Sequence, residues 1–211
     1  MKIITISREF GSGGRELGKR IADFLEFDYY DSEIITAVAK KSGLDAHYVE
    51  NTLSNHGWQN GSVTPRSAMA PSAMASSAKL QSEKVGLLLE QKRVIEEIAM
   101  LDKDCVIVGR NADVILAQYQ PFNIFVCAGT EAKLMRCRER APEGEKMSER
   151  ELLHKMKQID KVRSQTRAIL SGSEWGRREA YHVTINTTDW NIEDLVPAVA
   201  NFAECWFRRK Q

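Results

Sequence analysis

The sequence predicts an α/β fold in which a parallel sheet of five strands carries helices on both faces. Short apolar runs rich in β-branched residues alternate along the chain with longer amphipathic segments, and such alternation is typical of strand–helix–strand units. The chain has 211 residues, of which 43% are hydrophobic and 28% charged. One domain, or a core with an inserted subdomain, can therefore bury a sizeable core.

The first elements are a strand, a helix and a second strand. Lys2–Ser7 is a β-branched run that leads directly into glycines, the profile of a buried strand that enters a tight loop. In Arg15–Glu26, apolar residues recur at helical spacing with charges between them, which predicts an amphipathic helix. Phe27–Tyr30 is the second predicted strand.

Two further helices and an irregular segment follow. Asp31 can cap a helix that runs to Lys40 and stops at Gly43. Asp45–Leu53 is a short helix. The segment Asn55–Ser77 is rich in Gly, Pro, Ser, Ala and Met and carries almost no charge. It lacks strand or helix periodicity, so we expect a mobile loop or irregular segment.

The middle of the chain returns to the alternating pattern. Lys79–Leu101 is a long helix with apolar residues at helical spacing. Cys105–Val108 is the most apolar strand and ends at Gly109. Asn111–Tyr119 is predicted to be a helix, and Phe122–Cys127 a strand.

The last part of the chain adds three helices and one strand. Thr130–Arg140 and Ser148–Leu170 are charged helices, Tyr181–Ile185 is the fifth strand, and Asn191–Phe207 is the closing helix. In parallel sheets of this kind, ligands bind at the carboxyl ends of the strands. Functional residues are therefore expected directly after the five strands.

Composition and charge exclude several classes of protein. Thirty Lys and Arg residues nearly balance 29 Asp and Glu residues, for a net charge of +1, which argues against a nucleic-acid-binding domain. We expect no membrane span and no secretory signal, because no apolar run is long enough. The four cysteines are scattered, with no metal-ligand spacing, which favours reduced thiols in a cytoplasmic protein.

The strongest chemical signal is the glycine loop between the first strand and the first helix. Gly11, Ser12, Gly13, Gly14, Arg15 and Glu16 form it. Consecutive backbone N–H groups in such a turn can converge on a phosphate at the helix N-terminus. A tight strand–helix turn without a ligand is the simpler alternative. A dinucleotide-binding loop would need G-x-G-x-x-G, but the third glycine position holds Glu16.

Two sets of arginines add to the phosphate-binding signal. Arg110 follows Gly109 at the end of the third strand, where it can reach a phosphate. Arg163 and Arg167 are four residues apart on one predicted helix and share a face. Two guanidiniums on one face can grip a transferring phosphoryl group. Solvated surface arginines are the simpler alternative for both sets.

The chain resembles the cytidylate kinase-like family of P-loop nucleoside monophosphate kinases. The matching segments run from residue 3 to 190: ISREFGSGGRELGKRIA, YYDSEII, CVIVGRNADVIL, RCRER, IDKVRSQTR with SGSEWG, and INTTDW. The resemblance implies a single three-layer α/β/α kinase domain over residues 1–211. It also implies an inserted helical monophosphate-binding subdomain at about 32–92 and a helical lid at about 136–167.

The resemblance also implies roles for single residues. ATP is the implied phosphoryl donor, bound by the loop Gly11–Glu16, with Mg²⁺ expected. Asp31 and Arg110 are the implied contacts to the acceptor, a nucleoside monophosphate such as CMP or dCMP. The implied lid residues are Arg136, Arg140, Lys161, Arg163 and Arg167. The predicted catalytic residues are Arg163 and Arg167 of the lid, with Arg15, which stands where the family has its Ser/Thr.

Two departures from the P-loop pattern leave a second function class open. The positions of the usual lysine and Ser/Thr hold Gly14 and Arg15, and Asn111 follows Arg110 where other monophosphate kinases have Asp. No metal ligands are assigned, and Arg15 or Lys19 could supply the missing charge. The alternative to a monophosphate kinase is a catalytically weak nucleotide-binding regulator, or a kinase for a different small acceptor. The sequence assigns neither the base of the acceptor nor an oligomeric state.

Overall fold

The computed structural model describes residues 1–54, 71–141 and 147–209, with the backbone alone for residues 54 and 71–80. The strands are β1 (Ile3–Arg8), β2 (Asp28–Tyr30), β3 (Cys105–Val108), β4 (Phe122–Cys127) and β5 (Val183–Asn186). The helices are α1 (Gly14–Leu25), α2 (Ser32–Ser42), α3 (Ala46–Ser54), α4 (Pro71–Met100), α5 (Ala112–Ile115), α6 (Thr130–Glu139), α7 (Glu149–Ser171) and α8 (Ile192–Arg208). Among the described residues, no helix has the length and apolar character needed to cross a membrane.

The predicted five-stranded parallel sheet is confirmed. Its strand order is β2-β3-β1-β4-β5, and every pairing is parallel, with Ile4 opposite Val106 in β3 and Phe122 in β4. Because β1 lies at the centre, the chain leaves it at the point where the strand order reverses, which is where such folds bind ligands.

The core lies mainly between the sheet and two helices. Alternate residues of the central strands, such as Ile6, Val108 and Val126, pack with α1 and α8 in one cluster of buried side chains. The opposite face carries Phe125, which contacts the rings of Trp175 and Tyr181. Helices thus flank the sheet as the alternating sequence pattern predicts.

Two helix predictions are wrong. Helix α4 begins at Pro71 and not at Lys79, so Pro71–Ser77 is helical, whereas the rest of the segment predicted as irregular, 55–70, lies outside the described residues. Proline suits the first helical turn, and Ala and Met are good helix formers. The helix predicted over Asn111–Tyr119 is broken, because Asn111 has φ 55° and Leu116 leaves helical geometry; a short 3₁₀ turn occupies Ala117–Tyr119.

Contacts divide the chain into two compact units. One comprises Met1–Asp31 with Ile98–Gln211 and contains the whole sheet; the other is Ser32–Glu97. In the second unit α2 packs on α3, and Tyr48 donates a hydrogen bond to Glu83 of α4 at 2.8 Å. Gly43, with φ 66°, follows the end of α2 as predicted.

Candidate functional site

The glycine loop that joins β1 to α1 has a shape fixed by hydrogen bonds. The amide of Glu9 donates to the carbonyl of Val126 at 2.9 Å, and the buried hydroxyl of Ser12 donates to the carbonyl of Glu9 at 2.9 Å. Thr187 Oγ1 donates to the carbonyl of Ser12 at 2.7 Å. Gly13, with φ 82°, then turns the chain into α1. The first amides of α1 have no acceptor within the helix, an arrangement that favours anions.

Packing also requires the two glycines at the start of α1. A Cβ atom on Gly13 would lie 2.5 Å from Ile192 Cδ1, and one on Gly14 would lie 2.6 Å from Arg8 Cβ. These approaches are far closer than van der Waals contact. A tight turn alone therefore explains these glycines, and the case for a ligand rests on the surroundings of the loop.

A cavity of about 560 Å³ is lined by the loop and by cationic side chains. The cations are Arg8, Arg15, Arg136, Arg138, Arg140, Lys155 and Arg163. The lining also includes Glu9, which is paired with Lys133 at 2.9 Å. Low-dielectric walls that carry one sign of charge concentrate the opposite charge, so the cavity suits a polyanion.

Arg8, the last residue of β1, is a cavity residue that the sequence analysis missed. Its side chain is only 11% exposed, and its guanidinium lies 3.6 Å from Asp31. It also lies directly against Gly109, where a Cβ atom would come 1.5 Å from Nη1. Burial lowers the pKa of Arg8 to about 9. The positive charge of Arg163 lowers this pKa further, by more than the negative charge of Asp31 raises it.

Asp31 joins the end of β2 to this group of arginines. Its carboxylate is buried and lies 2.5 Å from Arg15 Nε. Arg15 extends from the first turn of α1, and its side chain is 67% exposed. The sequence left open whether Asp31 caps the following helix or contacts an acceptor; the structure places its carboxylate between Arg8 and Arg15.

Arg110 lies on a segment with an unusual backbone. Gly109, Arg110 and Asn111 have φ values of 74°, 57° and 55°. Left-handed backbone costs about 1–2 kcal/mol for each residue that carries a side chain, and such strain is concentrated at functional sites. The half-buried Arg110 contributes positive charge that lowers the pKa values of Arg8 and Arg163. The structure thus brings Arg110 near the cavity cations.

Helix α7 touches the glycine loop through a carboxylate and an arginine. Asp160 accepts a hydrogen bond from the amide of Phe10 at 2.8 Å. Arg163 donates to the carbonyl of Arg8 at 2.9 Å and to Asp160 at 3.0 Å. Burial raises the pKa of Asp160, and the positive charge of Arg163 opposes that change. The sequence also predicts a hinge before α7, formed by Ala141, Pro142, Glu143 and Gly144. Residues 142–144 of that hinge lie outside the described residues.

The phenylalanine of the loop packs into the predicted lid. Its ring lies against a cluster of buried side chains, Leu134 from α6 with Leu152 and Met156 from α7. Phe10 therefore contacts α6 and α7 with its ring and α7 with its amide. A Phe in a glycine-rich loop is the sequence signal that could have indicated this contact.

The structure separates the two arginines that the sequence placed together. Arg163 lines the cavity, whereas Arg167 is 4% exposed and pairs with the equally buried Asp113 at 2.5 Å. The Arg167 guanidinium also lies over the ring of Tyr181, 5.3 Å from its centre. Because the Arg167 guanidinium is paired with Asp113, the two guanidiniums do not line the cavity together as the sequence predicts. Lys161 is exposed and is not among the residues that line the cavity.

The remaining predicted lid arginines line the cavity but are also held by the protein. Arg136 donates to Thr187 Oγ1 at 3.0 Å and to the carbonyl of Trp190 at 3.2 Å. Arg140 donates to Glu16, a residue predicted to contact ATP, which also accepts from Arg20 at 3.0 Å. Arg136 of α6 thus holds the segment after β5, and Arg140, which follows α6, holds the start of α1.

The described side chains do not form a cluster that could hold Mg²⁺ without help from a substrate. The described residues contain no cluster of three or more His, Cys, Asp or Glu side chains that could hold a metal. Arg15 stands where a phosphate loop has its metal-binding hydroxyl, and Asp31 is paired with guanidinium groups. The donor set therefore does not fit a metal ion held by the protein.

Solved structures with the same architecture include enzymes and a protein of unknown role. An uncharacterized protein from Eubacterium ventriosum ATCC 27560 matches with a TM-score of 0.68 at 23% identity, covering 97% of this chain and 99% of that one. Shikimate kinase from Bacteroides thetaiotaomicron matches at 0.54 and 15%, covering 96% and 98%. Shikimate kinase from Acinetobacter baumannii matches at 0.51 and 16%, covering 96% and 92%. These likenesses show the fold of P-loop kinases.

Comparison of the sequence itself gives the family. No curated protein matches it. The model of the cytidylate kinase-like family matches residues 3–189, nearly the whole chain, and the resemblance expected from the sequence is thereby confirmed. The chain belongs to the cytidylate kinase-like family.

Proposed function

We propose that the protein transfers the γ-phosphoryl group of ATP to a nucleoside monophosphate, with CMP or dCMP as the first candidates. The observation that carries this proposal is the cavity in which the glycine loop and the N-terminus of α1 meet the cationic side chains of α6 and α7. A polyanion with several phosphates fits that charge. Membership of a kinase family supports phosphoryl transfer as the reaction.

The donor phosphates bind to the loop Gly11–Glu16 through backbone amides. Glu16 contributes its N–H group and not its side chain, because its carboxylate accepts hydrogen bonds from two arginines. Ser12 contributes by shaping the loop, because its hydroxyl and its amide both donate to the carbonyl of Glu9. ATP enters as its magnesium complex. The ion is then part of the substrate, since the described side chains form no cluster of metal ligands.

Arg110 binds the phosphate of the acceptor. It follows β3, at the same edge of the sheet as the glycine loop after β1. Asp31 holds Arg15 and Arg8 in place and contributes to acceptor binding from the end of β2.

The chemistry needs charge stabilisation more than proton transfer. An ionised phosphate oxygen of the acceptor attacks the γ-phosphorus, the bond to the bridging oxygen breaks, and ADP leaves. Negative charge spreads over the oxygens of the transferred group. Arg163 and Arg15, which both line the cavity, stabilise that charge as it develops. Arg167 acts indirectly, since it is paired with Asp113.

One observation favours a second candidate, a nucleotide-binding regulator or a kinase for another small acceptor. The positions of the usual lysine and hydroxyl hold Gly14 and Arg15, and the described residues form no metal cluster. Nucleotide binding tolerates these replacements better than phosphoryl transfer does.

A coupled assay of ADP formation separates the candidates. It should be run with ATP and CMP, dCMP, UMP, AMP or GMP as acceptor, with shikimate as a non-nucleotide acceptor. We expect turnover that depends on one or two pyrimidine monophosphates. Turnover with shikimate alone would favour a different acceptor, and tight ATP binding without turnover on any acceptor would favour a regulator.

A further inference from the structure

The phosphate loop lacks its lysine, and an arginine lies close by. When the loop is aligned on the P-loop pattern with Gly13 at the second glycine, Gly14 occupies the lysine position and Arg8 the position of the first glycine. The usual lysine places a positive charge beside the β- and γ-phosphates of the bound nucleotide. A loop that binds a triphosphate without it needs that charge from another residue.

The surroundings of Arg8 keep its guanidinium near the loop. The side chain is 11% exposed, and it occupies space that exists only because Gly109 has no Cβ atom. Its backbone carbonyl accepts the hydrogen bond from Arg163. Arg8 and Arg163 both line the cavity, and this hydrogen bond joins the two residues there.

The charges around Arg8 favour an anion. Its ion pair with Asp31 is 3.6 Å long, whereas Asp31 lies 2.5 Å from Arg15. Repulsion from Arg163 outweighs attraction to Asp31 at Arg8, and Arg110 and Arg15 add to the repulsion. A buried cation in a cationic environment is unfavourable unless an anion joins it.

We propose that Arg8 replaces the missing lysine of the phosphate loop and binds the terminal phosphate of ATP. This inference rests on the proposed donor site. The opposing possibility is that Arg8 has only a structural role, a brace that holds the ends of β1, β2 and β3 together through its contacts with Gly109 and Asp31. The two roles differ in one measurable respect: a phosphate contact distinguishes ATP from ADP, whereas a brace does not.

The test compares affinities for ADP and for a non-hydrolysable ATP analogue by calorimetry. The variants are Arg8→Met and Arg8→Lys, with Arg178→Met as control, because Arg178 is 89% exposed and pairs only with Glu179 in the described structure. We expect Arg8→Met to weaken binding of the analogue by about ten- to hundredfold. Affinity for ADP should change little, Arg8→Lys should retain part of the preference, and thermal unfolding should show that each variant is folded.

A second variant tests the same contact from the other side. In Gly109→Ala the new methyl group would occupy the place of the Arg8 guanidinium. In the parent chain, Gly109→Ala should reduce the preference for the ATP analogue over ADP. In a chain that already carries Arg8→Met, the same change should reduce that preference no further. Independent losses in the two backgrounds would contradict the contact.

The outcomes also separate this inference from the proposed function. If Arg8→Met loses the preference for the ATP analogue while the parent turns over no acceptor, the inference holds and the proposed function fails. If the parent phosphorylates a monophosphate and Arg8→Met keeps its preference for the analogue, the inference is overturned. Equal loss of ADP and analogue affinity would also overturn it, because that result indicates a brace.

Discussion

Arg167 and Asp113 form an ion pair in which both side chains are almost completely shielded from water. Arg167 Nη1 lies 2.5 Å from Asp113 Oδ2, and the side chains are 4% and 2% exposed. The pair joins α7 to the short helix that follows the strained segment carrying Arg110. Arg167 therefore holds α7 and the segment that carries Arg110 together, while Arg163 lines the cavity.

Loss of this ion pair should lower the free energy of unfolding. Arg167→Met leaves Asp113 buried without its cation, and breaking a buried pair in this way typically costs about 3–5 kcal/mol. Arg167→Met combined with Asp113→Leu should recover most of that free energy, since no buried charge is left. Urea denaturation measures both. A stability of Arg167→Met equal to that of the parent would show that the pair is not formed in solution.

Arg163→Lys should lower the turnover rate. The planar guanidinium bonds to the Arg8 carbonyl and to Asp160 while lining the cavity, a geometry that an ammonium group cannot reproduce. We expect kcat to fall by a factor on the order of 10²–10³, with nucleotide affinities nearly unchanged. Lys157→Met, an exposed change on the same helix, is the control. Normal turnover in Arg163→Lys would remove α7 from the chemistry.

Arg110→Ala should weaken acceptor binding selectively. Loss of a charge-assisted hydrogen bond to phosphate corresponds to about 1.5–3 kcal/mol, so the Kd for the monophosphate should rise while that for ATP stays the same. Arg110→Lys keeps the charge and should bind with intermediate affinity. Calorimetric titrations with each nucleotide alone measure this. An equal loss of both nucleotides would assign Arg110 to the donor site or to the fold.

The sequence predicts the sheet well and the arginine contacts poorly. The limits of β3 and β4 are predicted without error, because short apolar runs bounded by Gly and polar residues leave little ambiguity. The glycine loop and Arg110 are found because both directly follow strands. The site residues themselves stay predictions.

Contacts between distant segments explain the rest. The sequence predicts that the first strand ends at Ser7 and gives Arg8 no role in the site. Its neighbours Asp31 and Gly109 come close to it only when β2 and β3 join the sheet. Arg163 and Arg167 share a face on a helical wheel, and only their contacts distinguish them: Arg167 pairs with the buried Asp113, whereas Arg163 donates to Asp160 and to the carbonyl of Arg8. Periodicity shows which residues share a face, but it does not show what that face meets.

Gly13→Ala should affect packing as well as the loop. The new methyl group would lie 2.5 Å from Ile192 Cδ1, and φ is 82°. Gly172, with φ 62° and open space around a Cβ atom, is the matched control for backbone strain, which costs about 1–2 kcal/mol. We expect Gly13→Ala to lose more stability than Gly172→Ala, and Ile192→Val to recover part of the difference. If urea denaturation shows that Gly13→Ala and Gly172→Ala lose the same free energy of unfolding, packing against Ile192 does not require a glycine at position 13.

Phosphorus NMR of the parent protein mixed with magnesium ATP and CMP tests phosphoryl transfer to a monophosphate most directly. Phosphoryl transfer predicts that CDP and ADP appear together in equal amounts, and that neither forms when CMP is left out. Formation of ADP with inorganic phosphate alone, or an unchanged ATP spectrum with every monophosphate tried, would contradict it.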